Sequence, residues 1–171
     1  MSWLMLPVLA VLTAFGSPNY KRTGIGTEFY PVEKYNNGIF ACSLERWHPW
    51  QRDAPVCAHR TLPCGSWVFI KNLKTKKTAW CKIMDRGPYG KRDKNGIRFN
   101  SAIDRKQAKR QRRPPKKGRY IALIDKSSGV TKELGATGFT RVRVYWWKNN
   151  PKAAKLDKDL CNRWEICKDY R

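Results

Sequence analysis

The sequence predicts an all-β fold, and three observations carry that expectation. Runs rich in β-branched and aromatic residues recur at 66–72 (SWVFIKN), 78–84 (TAWCKIM), 120–124 (YIALI) and 140–147 (TRVRVYWW). In the last run Val142 and Val144 alternate with Arg141 and Arg143, the period-two pattern of a half-buried strand. Helical patterning is confined to 127–134 in the middle of the chain and to a short terminal stretch within 152–169.

Taken in order, residues 1–16 form an apolar segment. Leu4 to Phe15 is too short to span a bilayer comfortably. Ala14-Phe15-Gly16 has the small-x-small pattern of a signal-peptidase site, although no Lys or Arg precedes the run. The reading is an export signal, with a retained anchor or buried N-terminal segment as the alternative. Residues 17–37 read as an irregular arm with at most one short strand, because Gly24, Gly26, Asn36 and Asn37 interrupt it. The runs at 66–72 and 78–84 flank a short polar linker and predict a hairpin. Residues 91–119 are an insertion with thirteen Lys/Arg against two Asp and almost nothing to bury. It reads as an exposed loop with at most one helical turn before Pro114-Pro115, either a solvated charge run or an electrostatic clamp for a polyanion. The remaining body, 38–148, is the candidate domain, and 149–171 is a C-terminal extension.

The whole chain of 171 residues has 36 Lys+Arg against 13 Asp+Glu, net +23. Such a balance calls for an anionic partner: nucleic acid, an acidic membrane face or an anionic wall polymer. Six cysteines in an apparently exported chain suggest disulfides, with fifteen possible connectivities. Cys161 and Cys167 are close enough to pair locally. No CxxC with His support occurs, so neither a metal nor a cofactor is expected.

Two short stretches give the domain a family likeness. Ala58-His59-Arg60-Thr61-Leu62-Pro63-Cys64-Gly65 precedes the first hairpin strand, and Asp85-Arg86-Gly87-Pro88 follows the second. Asp125-Lys126-Ser127 then leads into the predicted helix, and Val142-Arg143-Val144 closes the domain. In this order and spacing the motifs resemble the RlpA-like double-psi β-barrel family over about residues 38–147, apart from the insertion. Departures are Lys126 in place of the family's usual Leu, the long insertion, and SLERWHPWQRDAPV before the histidine, where only Glu45 and Asp53 are loose acidic candidates. Asp104 is a rival for the Asp125 position, but Asp125 has the better distance to the closing strand.

The resemblance implies a six-stranded double-psi barrel, a Cys42–Cys64 disulfide of the cysteine-bearing branch, and lytic cleavage of peptidoglycan glycan strands in some members. The other expected pairs are Cys57–Cys81 and Cys161–Cys167. Glycosidic cleavage needs a proton delivered to the leaving oxygen. A lytic transglycosylase uses the sugar's own hydroxyl as nucleophile, so one carboxyl group can serve as acid and then base. Asp125 is the first candidate, Asp85 the second, and His59 a group that orients a carboxylate or binds sugar. Arg86, Tyr89, Trp47 and Trp50 are the candidate substrate contacts. The expected partner is peptidoglycan or another anionic polysaccharide, in a secreted, periplasmic or virion-associated setting. A non-catalytic wall-binding or virion barrel, which would also contact other virion or envelope proteins, is the alternative. A basic nucleic-acid-binding protein ranks last.

Overall fold

The computed structural model describes residues 16–28, 39–42, 44, 46–87, 92–93, 96–97, 122–164 and 166. Six strands close a barrel: β1 (Tyr20–Glu28), β2 (Val56–Ala58), β3 (Trp67–Asn72), β4 (Thr78–Asp85), β7 (Ile124–Lys126) and β8 (Thr140–Trp146). Their order around the barrel is β1-β7-β2-β4-β3-β8. Two pairs are parallel, β1 with β7 and β2 with β4, and the other four are antiparallel. Exchanging β1, β2 and β3 for β4, β7 and β8 reproduces every pairing, so two like halves interlock around an approximate twofold relation. Two-residue strands β5 (Arg92–Asp93) and β6 (Gly96–Ile97) form a separate ladder at the start of the basic insertion. The rest of that insertion, including its expected helical turn, lies outside the described residues.

The expected hairpin is β3–β4, with Phe69 opposite Trp80. Helix α1 (Ser128–Glu133) follows β7, and the Ser127 hydroxyl accepts from the Val130 N–H as its N-cap. Strand β8 matches the alternating run: Val142 and Val144 enter the barrel core while Arg141 stands exposed. Of the run 120–124, residues 120 and 121 lie outside the described residues, and the described strand begins at Ile124 and runs on into Asp125 and Lys126. Ala122 and Leu123 are buried ahead of the strand, with the Leu123 N–H on the Ile25 carbonyl.

The clearest departure from expectation is β1. Residues 20–28, read from sequence as part of an irregular arm, are a nine-residue barrel strand. The two glycines that masked it are what let it fit. A Cβ on Gly24 would lie 2.7 Å from the Leu123 Cβ, and one on Gly26 would press on Lys126 and Val142.

The barrel interior is filled by Cys57, Val68, Ile70, Cys81, Ile83, Ile124, Val142 and Val144. Disulfides join Cys57 to Cys81 and Cys42 to Cys64, as expected. Cys167 lies outside the described residues. A second cluster forms on the barrel's outer side, where Val56, Trp67 and Met84 meet Phe40, Trp47 and Ile166. Helical turns at Ala153–Leu156 (α2) and Asn162–Trp164 (α3), joined by a π-helical segment, add Leu156, Leu160 and Trp164 to it. Asp157 pins this extension by accepting from Trp67 Nε1 at 2.8 Å and from the buried Lys82 ammonium at 2.7 Å. No helix of the described residues is long and apolar enough to cross a membrane.

Candidate functional site

The site is built on one rung of the barrel. Asp125 of β7 lies opposite Thr27 of β1 on one side and Ala58 of β2 on the other, and Ala58 in turn pairs with Asp85 of β4. Adjacent strands are about 4.8 Å apart, so the two aspartate backbones sit roughly 10 Å apart across Ala58. His59 follows Ala58, and its N–H donates to the Asp85 carbonyl. The ladder thus brings Asp125, Asp85 and His59 to the same end of three adjacent strands.

Their side chains have different duties. Asp85 is buried, and its Oδ1 accepts from the Ala41 N–H at 2.9 Å and the Arg86 N–H at 2.8 Å. That carboxylate ties the Cys42 loop to the end of β4. Gly87 next to it has φ 139°, a conformation that favours glycine.

His59 is only 2% exposed. Its Nδ1 accepts from the Thr61 N–H at 3.2 Å and the Leu62 N–H at 3.0 Å. The proton therefore belongs on Nε2, which donates to the Tyr20 hydroxyl 3.0 Å away. Burial pushes His59 down to about 4, and the nearby Arg60, Arg86 and Arg22 guanidiniums add to the shift. His59 is thus a neutral imidazole that shapes the turn after β2. Burial raises Tyr20, an effect that Arg22 and Arg60 oppose. Tyr20 carries no sequence signal of this role, since its partner is 39 residues away.

Arg86, expected to contact substrate, spends its guanidinium on the same turn. It donates to the carbonyls of His59 and Leu62 at 3.2 and 2.5 Å, and to Cys64 Sγ at 2.8 Å. Trp47, another candidate substrate contact, is instead buried edge-on against Phe40 in the outer cluster. Tyr89 and the Trp50 side chain lie outside what is described.

Asp125 is the partly exposed one of the three candidate catalytic residues. Strand alternation sends Ile124 and Lys126 inward and Asp125 the other way. Lys126 is fully buried. Its ammonium donates to the Thr27 carbonyl at 2.7 Å and, at a longer 3.4 Å, to that of Gly138. Burial lowers Lys126 to about 8, and the charges of Asp125 and Glu28 pull the other way. Among the described residues no group of His, Cys, Asp and Glu is arranged to hold a metal ion.

Fold and site together define a closed, mixed six-stranded barrel with a carboxylate rung at one end. No family model matches the chain, and no curated protein matches it.

Proposed function

We propose that this protein is an exported, RlpA-like double-psi barrel that cuts peptidoglycan glycan strands by lytic transglycosylation, with Asp125 as its acid and base. The observation that carries the reading is the position of Asp125: partly exposed, at the centre of the short strand β7, between Thr27 and Ala58. In this scheme the Asp125 carboxylic acid protonates the glycosidic oxygen as the bond to C1 breaks. A hydroxyl of the same sugar then closes on C1, and the carboxylate takes its proton. One carboxyl suffices, in keeping with an Asp85 and a His59 engaged in holding the backbone. The two disulfides fit an oxidising compartment.

A second reading has a specific observation in its favour. The charge of Asp125 acts on the buried Lys126 ammonium, and a cation beside a carboxylate works against its use as a proton donor. A barrel that holds wall glycan without cutting it, alone or within a virion or envelope assembly, would need no such acid.

The test is incubation with purified sacculi, followed by mass mapping of soluble products. Anhydro-muropeptides from the wild type and none from Asp125→Asn support the enzyme. Sedimentation with sacculi and no product supports the binding barrel. Undiminished release by Asp125→Asn removes Asp125 from the mechanism.

A further inference from the structure

The outer wall of β1, β8 and β3 carries a feature separate from the carboxylate rung. With Val142 and Val144 in the core, alternation turns Arg141 and Arg143 of β8 outward. The register places Thr23 of β1 and Lys71 of β3 on either side of Arg143, and Ile25 beside Arg141. Lys21 lies two residues before Thr23 on the same face, opposite Tyr145. Arg143 Nε donates to the Thr23 hydroxyl at 3.0 Å, which spreads its guanidinium along the sheet. Lys21, Lys71, Arg141 and Arg143 make no ion pair among the described residues, and Asp125, which the register places beside Thr27, lies beyond Ile25 at the edge of this face. Four cations are thus held close together on the sheet, none of them in an ion pair among the described residues.

We propose that this face binds a phosphodiester polyanion of the cell wall. Arg141 and Arg143 stand two residues apart on one strand, roughly 6.6 Å, a step matched to successive charges on an extended chain of phosphodiesters. Guanidinium groups pair with phosphate through two parallel hydrogen bonds, and Lys21 and Lys71 add point charges to either side. A wall polymer is favoured over nucleic acid because two disulfides fit an oxidising compartment, where nucleic acid is seldom met. The inference concerns binding on the sheet wall and stands whether or not Asp125 cuts glycan.

The experiment measures binding of the full chain to fluorescent poly(glycerol phosphate) by anisotropy across a salt series. The variant Lys21→Gln/Lys71→Gln/Arg141→Gln/Arg143→Gln is compared with Lys74→Gln/Lys155→Gln/Lys158→Gln/Arg163→Gln, which loses equal charge elsewhere. Thermal melts check that both remain folded. The face variant is expected to lose at least about tenfold in affinity and to flatten the salt slope by about 3, while the control keeps most of both. Equal losses in the two variants would show unlocalised charge attraction and overturn the proposal. Tighter binding of duplex DNA than of the wall polymer at the same salt would overturn the choice of partner.

Discussion

Lowering the pH should unfold this protein through His59, by an amount that follows from its surroundings. Two backbone N–H groups already point at Nδ1, so a proton placed there meets two donors and loses two hydrogen bonds. Burial, with three arginines nearby, holds the folded imidazole at about 4, against 6.5 for the ordinary group. Between those values the unfolded chain binds more protons than the folded one, so stability falls as pH falls. The loss begins near 6.5, runs at about 1.4 kcal/mol per pH unit and ends near 4, for a total of roughly 3 kcal/mol. Urea unfolding at pH 7, 6, 5 and 4 measures it, with His59→Asn as reference. The Asn carbonyl can still accept from the turn but does not titrate. The stability difference between wild type and variant should shrink, or change sign, by about 3 kcal/mol from pH 7 to pH 4. A difference that stays constant, or an NMR titration of His59 with its midpoint near 6.5, refutes the reasoning.

Three further outcomes are expected. Replacing both Cys57 and Cys81 by Ala opens a link with a sequence separation of 24 and should cost about 3.5 kcal/mol by the chain-entropy model, read as a shifted urea midpoint. Gly129→Ala would put a methyl 2.0 Å from the Asp53 carbonyl oxygen where α1 crosses the turn at Pro49–Asp53, so a loss of more than about 2 kcal/mol in thermal unfolding is expected. Lys126 is lowered from 10.5 to about 8, so the unfolded chain binds the extra proton between those values and stability rises with pH there. Lys126→Met should abolish that rise, about 3 kcal/mol at most, as seen in melts from pH 8 to 10.5.

The parts of the fold that were legible in the sequence are those in which a local pattern and the tertiary environment agree. The β3–β4 hairpin has two apolar runs and a polar turn, α1 has its Ser127 cap, and β8 alternates. Strand β1 was hidden because its glycines answer to Leu123 and Val142, residues that only the closed barrel brings near. Strand β7 was displaced because its register continues through Asp125 and a buried Lys126, side chains that local propensity assigns to the surface. At the site, motif likeness pointed to Asp125, Asp85 and His59, and the ladder does bring their backbones to neighbouring strand ends. It gave no sign that Asp85, His59 and Arg86 would be engaged as they are, because their partners, the Ala41 and Leu62 backbone and the Cys64 sulfur among them, are fixed by the fold. Trp47 shows the same limit: nothing local in its polar stretch distinguishes a candidate substrate contact from a side chain packed on Phe40.

The interlocked pairing has a consequence for how the chain is made. Strand β1 pairs only with β7 and β8, so Gly26 must wait for Ile124, and Tyr20 for Trp146. While the polypeptide emerges, β2, β3 and β4 can assemble and their cysteines can join, but both seams stay open. Strand β7 then threads between β1 and β2, and β8 seals the gap between β1 and β3. Assembly is therefore expected to be slow and to finish only after the last strand appears, with bare strand edges as the hazard in any chain that stops short of β8.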